Sequence, residues 1–303
     1  MSARSDRTPD VAPEVIPDVI LDVKAELGEG PIWDVARQRL LFVDILRAHV
    51  HAFDPATGAD RVYDVGLPVG AIACTERGDW VLAAGRGFSR LDPDSGRVTP
   101  IVEAAPGRPD LRMNDGYVDP QGRFWAGTLS LERGTGQAAL YRLDPDGRVR
   151  TMLESVTTSN GIDWSPDGRL MYFIDTRTNR IDIFDFDDAS GAIENRRPFV
   201  TIAADDGHPD GLIVDADGAI WLGLWQGKAL RRYRPDGALD RTIQMPTTLV
   251  TKCAFGGPRL DQLFITTARV ALTDAERVAQ PHAGSVFRMV PGVQGRAPSR
   301  FRG

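Results

Sequence analysis

Short apolar stretches recur along this chain, and each one runs straight into a turn. Leu40-Leu41-Phe42-Val43 stops at Asp44, and Met171-Tyr172-Phe173-Ile174 stops at Asp175. Runs this short suit strands, because an amphipathic helix needs roughly 10–12 residues and a 3.6-residue period. The turns repeat as well: Phe53-Asp54-Pro55-Ala56-Thr57-Gly58, Leu91-Asp92-Pro93-Asp94-Ser95-Gly96, Leu143-Asp144-Pro145-Asp146-Gly147, Phe186-Asp187-Asp188-Ala189-Ser190-Gly191 and Tyr233-Arg234-Pro235-Asp236-Gly237, with a weaker copy at Met289-Val290-Pro291-Gly292. Proline presets the first turn dihedral and glycine accepts positive φ, so the pattern predicts hairpins. Successive turn glycines fall 38 to 55 residues apart.

A second element precedes each strand pair. It reads Glu29-Gly30-Pro31-Ile32-Trp33-Asp34, Val69-Gly70-Ala71-Ile72, Asp115-Gly116-Tyr117-Val118-Asp119, Asn160-Gly161-Ile162-Asp163 and Asp210-Gly211-Leu212-Ile213, with a degraded sixth copy at Thr251-Lys252-Cys253-Ala254-Phe255-Gly256. Six antiparallel units at this spacing predict an all-β fold: a six-bladed β-propeller with four-stranded blades around a central channel. The alternating stretch Val19 to Val23 is expected to close the ring by joining the last blade. Residues 18–303 then form one domain, and the polar, proline-dotted residues 1–17 read as a disordered leader.

Composition narrows the function classes. The chain has 303 residues with 31 glycines and 21 prolines, which disfavours a helical bundle, and it lacks a long apolar run for a membrane helix. Its net charge of −6 argues against nucleic-acid or anionic-membrane partners. Cys74 and Cys253 belong to no metal-type spacing and read as buried, reduced thiols of a cytoplasmic protein. With four histidines in all, a zinc cage built mainly from histidine is not expected. No G-x-S-x-G elbow offers a serine nucleophile.

The chemistry is expected at the repeated glycine. In a propeller the first strand of each blade lines the channel, so equivalent positions face one another across the axis. The residue before the glycine is Glu29, Val69, Asp115, Asn160 or Asp210. One Asp-Gly pair is an ordinary turn dipeptide, but four oxygen donors in one register suit a hard divalent cation: Ca²⁺, Mg²⁺ or Mn²⁺, with Zn²⁺ also accepting carboxylates. Trp33, Trp125, Trp164, Trp221 and Trp225 are expected to pack between blades, and His208 to sit in a loop.

Four motifs in order, Leu27-Gly28-Glu29-Gly30-Pro31, Arg112-Met113-Asn114-Asp115-Gly116, Ser159-Asn160-Gly161-Ile162-Asp163-Trp164-Ser165 and Pro209-Asp210-Gly211, resemble the senescence-marker-protein/gluconolactonase/luciferin-regenerating family, which includes regucalcin. Phe124-Trp125-Ala126-Gly127-Thr128 and Phe255-Gly256-Gly257 are similar to bacterial sugar lactonases of that group. The resemblance implies a six-bladed propeller and a divalent-metal-dependent hydrolase of sugar (aldono-)lactones, with Ca²⁺ the first expectation for the ion. It implies Glu29, Asn160 and Asp210 as metal ligands, Asp210 as general base, and Arg112, Asn114 and Glu132 as substrate contacts. It leaves Asp115 beside the metal, whereas the glycine register makes it a ligand candidate. A non-catalytic calcium- or ligand-binding propeller, or a hydrolase of a non-sugar lactone or ester, are the alternatives.

Overall fold

The computed structural model describes residues 17–303; the expected leader, apart from its buried last residue Pro17, lies outside the described residues. Six four-stranded antiparallel sheets follow one another along the chain, as the repeats predict. Blade I has strands Gly28–Asp34, Arg39–Asp44, His49–Asp54 and Ala59–Asp64. The inner strands of blades II to VI are Val69–Cys74, Leu111–Val118, Ser159–Trp164, His208–Val214 and Val250–Gly256.

Burial falls from the axis outward, and the sequence shows why. The inner strand of blade I is buried at every residue, whereas Ala59–Asp64 at its rim is mostly exposed. A blade is covered on both faces by its neighbours, so its inner strands read as continuous apolar runs and only the outer ones become polar. Large aromatics fill the wedges between blades: Trp125 meets Trp164 edge-on, and Trp33 stacks on Phe264. Trp225, half-buried at the end of a blade V strand, packs on Leu249 and Ala268, which flank the strands of blade VI. Both cysteines are free and buried.

The ring closes where expected. Strand Asp18–Leu21 pairs antiparallel with Val286–Met289, so blade VI takes its outermost strand from the start of the chain and three from its end. The C-terminal segment adds a second tie that the sequence did not announce. Gln294 accepts from the Ala216 amide, Arg296 donates to Asp163 and to the Trp164 carbonyl, and Phe301 exchanges backbone bonds with Cys74 and Glu76. These partners sit where inner strands end, so the tail crosses that end of the channel. Among the described residues no helix is long and apolar enough to cross a membrane.

Buried aspartates staple the turns that leave the inner strands. Asp119 accepts from the Gln121 and Arg123 amides, the Arg123 guanidinium and the Trp125 indole. Asp215 repeats the arrangement with the Asp217 and Ala219 amides, Trp221 Nε1 at 3.0 Å and Arg232 Nε at 2.8 Å. Asp215→Ala leaves the buried Arg232 and the Trp221 indole short of an acceptor. It is expected to destabilise the protein by about 3–5 kcal/mol in chemical denaturation, whereas Glu194→Ala at an exposed position should change stability by less than about 0.5 kcal/mol.

Candidate metal centre and substrate pocket

All six inner strands carry one extra residue at the same place. The pairing register shifts between Glu29 and Ile32, Val69 and Ala71, Met113 and Gly116, Ser159 and Ile162, Pro209 and Leu212, and Val250 and Cys253. Such a bulge bends the strand and re-aims its side chains. It also frees backbone from the ladder just where six strands meet.

The bulge register corrects the glycine register in three blades: Gly30-Pro31 and Gly70 fill the bulges of blades I and II, so Glu29 and Val69 stand one residue before them, still paired in the ladder, and blade III is shifted the other way. Asn160-Gly161 and Asp210-Gly211 fill the bulges of blades IV and V, but Asn114-Asp115 fills that of blade III. Asn114 is therefore the equivalent of Asn160 and Asp210, and Asp115 lies one step further on, where the neighbouring blades carry glycine. The physical reason is that Gly116 has already rejoined the ladder opposite Ala126. Blade VI fills the same bulge with Thr251-Lys252, so Lys252 is the counterpart of Asp115.

Close backbone approach requires the small residues here. A Cβ at Gly70 would lie 2.5 Å from the Asn114 carbonyl oxygen and 2.6 Å from its nitrogen. A Cβ at Gly211 would strike the stem of Lys252 at 2.4 Å.

A chain of hydrogen bonds links three of the predicted residues. Arg112 Nη1 donates to the Met113 carbonyl at 2.8 Å and to Asn114 Oδ1 at 2.9 Å. Asn114 Nδ2 in turn donates to the Ser159 carbonyl at 2.8 Å and to Asn160 Oδ1 at 3.1 Å. Asn160 Nδ2 donates to Thr176 Oγ1 at 2.7 Å, and Thr176 donates onward to the Pro209 carbonyl, next to Asp210. Thr176 was not visible as a site residue in the sequence, because it belongs to no repeat position. His208 bonds Asn179 rather than Asp210, but it is not in a loop as expected: it opens the inner strand of blade V, paired with Trp225. Glu132 is exposed on loop 131–137. Since Leu111 pairs with Ser130, that loop lies at the same end of blade III as Arg112, outside the buried group.

Glu29, Asp115, Asn160 and Asp210 are all buried. Burial, and then Asp115, push the Glu29 carboxyl up to about 8, with Lys252 pulling the other way. Burial, then Glu29 and Asp115, raise Asp210 well above the usual carboxylate range. Burial draws Arg112 down to about 10 against the attraction of Glu29 and Asp210. Among the described residues no lysine or arginine forms an ion pair with Glu29 or Asp210, whereas Asp115 Oδ1 is held by Lys252 Nζ at 2.6 Å. Nor do three His, Cys, Asp or Glu side chains gather as a metal cage among them; the donor set is two carboxylates and an amide. Two buried carboxylates without a counter-ion, beside an amide oxygen, fit a hard divalent cation.

Known proteins share this architecture and sequence. Residues 27–269 match the family described as SMP-30/Gluconolactonase/LRE-like region. Regucalcin of Xenopus laevis is 35% identical over 285 residues, covering 92% of this chain and 95% of that protein. A Bacillus subtilis (strain 168) protein named, provisionally, sugar lactone lactonase YvrE is 38% identical over 281 residues, 92% of this chain and 96% of the relative. The crystal structure of a calcium-binding protein, regucalcin, from Agrobacterium tumefaciens superposes with a TM-score of 0.90 at 30% identity, over 94% of this chain and 97% of that one.

The crowding at Gly70 can be tested alone. Gly70→Ala must displace the Asn114 backbone and is expected to lower stability by about 1–3 kcal/mol, read from denaturant midpoints. An unchanged midpoint would mean that the strands at the axis have slack.

Proposed function

The chain belongs to the SMP-30/gluconolactonase/LRE-like family, and on that premise we propose that it is a divalent-metal-dependent lactonase that opens a sugar lactone to its aldonic acid. One observation supports this reading above the others: buried oxygen donors without counter-ions adjoin an Arg112–Asn114 pair at the channel. Glu29, Asn160 and Asp210 would hold the ion, with Ca²⁺ the first candidate and Zn²⁺, Mg²⁺ and Mn²⁺ behind it. Bound there, a divalent cation supplies Lewis acidity to a carbonyl oxygen.

The chain's own residues do the rest. Arg112 and Asn114 bind lactone hydroxyl or carbonyl oxygens and orient the ring for attack; Glu132 contacts substrate from its loop. The Asp210 carboxylate accepts a proton from water as the water oxygen bonds to the carbonyl carbon. The ring C–O bond then breaks, and the alkoxide oxygen takes that proton from Asp210 to leave as an alcohol, which restores the carboxylate. Asn160, oriented by Asn114 and Thr176, keeps its amide fixed. The tail across the far end of the channel restricts substrate to the end that carries Arg112 and Glu132.

A second reading, a calcium-binding propeller without catalysis, draws on the calcium-binding description of the Agrobacterium structure. A metal buffer has no use for an arginine held beside its site, which favours the hydrolase. Metal-stripped protein assayed on aldonolactones, then reconstituted with Ca²⁺, Mg²⁺, Mn²⁺ or Zn²⁺ in turn, separates the two; binding without turnover on any lactone would leave only the buffer.

At saturating metal, Asp210→Asn is expected to lose about 10²- to 10⁴-fold in kcat, the range for removal of a general base. Asn160→Asp should retain measurable turnover. Arg112→Ala should keep its metal and lose about 10- to 10³-fold in kcat/KM, roughly 1.4 kcal/mol per tenfold. Glu29→Gln should weaken metal binding in calorimetric titration more than it lowers stability.

A further inference from the structure

A buried ion pair crosses the channel axis beside this centre. Lys252, on the inner strand of blade VI, reaches Asp115 on blade III, its opposite number in a ring of six, with Nζ 2.6 Å from Oδ1. Both residues are 1% exposed. The lysine stem occupies space that any side chain at position 211 would fill, and its ammonium lies 5.6 Å from the centre of the Tyr117 ring. Asp115 Oδ1 also accepts from the Gly116 amide at 2.7 Å, while Oδ2 is buried with no hydrogen-bond partner. The slot suits a compact ammonium on a flexible stem better than a planar guanidinium.

We propose that Lys252 is a built-in counter-charge that holds Asp115 out of the metal's coordination and leaves Glu29 and Asp210 as its only anionic ligands. The inference rests on the metal-centre reading above. The pair occupies equivalent bulge positions in opposed blades, so the two groups meet at the axis and cancel each other's charge. A divalent ion then meets two uncompensated carboxylates and an amide. Were Lys252 neutral, the free carboxylate of Asp115 would face the same ion. Ligand charge count sets the affinity of such sites over several decades, and a third carboxylate would also take a position that water or substrate needs. Lys252 is a positioning residue here, acting through Asp115. Arg112, the other cation near Glu29 and Asp210, stays in place in every variant below.

The test is a charge cycle on metal-stripped protein titrated calorimetrically with Ca²⁺ alone and Mn²⁺ alone. Lys252→Met should bind either ion about tenfold more tightly or better, because Asp115 is released. Asp115→Asn should bind about tenfold more weakly or worse, because Lys252 is left uncompensated. The double variant should return to within about threefold of the wild type. Shifts of the two single variants in the same direction, no shift in either, or a double variant that stays displaced would overturn the counter-charge. Circular dichroism and thermal melting check folding; if Lys252→Met does not fold, Asp115→Asn and the uncharged double variant carry the test. Wild type and Glu29→Gln titrated alongside separate the two claims. A wild type that binds no divalent ion removes the metal centre and this inference with it. A wild type whose affinity falls with Glu29→Gln but ignores Lys252 and Asp115 overturns the counter-charge alone.

Discussion

Six strands share one axis, and the space they leave is too narrow for a regular ladder with side chains at every position. The molecule meets that constraint by inserting one extra residue into each inner strand at the same level. The bulge gives each strand a short length of backbone outside the ladder. Glycine at Gly70, Gly161 and Gly211 lets adjoining chains close in. Polar side chains from neighbouring bulges are then carried into hydrogen-bond contact, as Asn114 and Asn160 are. The candidate chemistry follows from this packing requirement at the centre of the ring.

Hydrogen-bond partners sort these buried carboxylates into two kinds. Asp119 and Asp215 are buried, yet backbone amides, a tryptophan indole and an arginine occupy their oxygens. They act as staples, since a satisfied buried carboxylate fixes geometry. Glu29 and Asp210 are also buried but have no such cation, and burial, then the neighbouring carboxylates, raises both above the usual carboxylate range. These two carboxylates lie where inner strands begin, and the staples lie where they end. The C-terminal segment crosses the stapled end, which leaves Glu29 and Asp210 toward the other.

The sequence by itself determined the repeat, the blade count and the closing strand, because each depends on local information. A run of apolar residues ended by a proline-glycine turn forms a hairpin wherever it occurs, and six in a row can bury their faces only against one another. The glycine register singled out Glu29, Asp115, Asn160 and Asp210 for the same reason, whereas Arg112, Asn114 and Glu132 were legible only through the family resemblance of their motifs. Tertiary structure alone decided the rest. Whether Asn114 or Asp115 shares the position of Asp210 depends on where a bulge falls, and a one-residue shift is invisible in spacing. That Lys252 faces Asp115 across 137 positions of chain follows from ring closure, which brings the third and sixth blades opposite each other. Thr176 and the C-terminal tie belong to no repeat, so only the folded chain could place them.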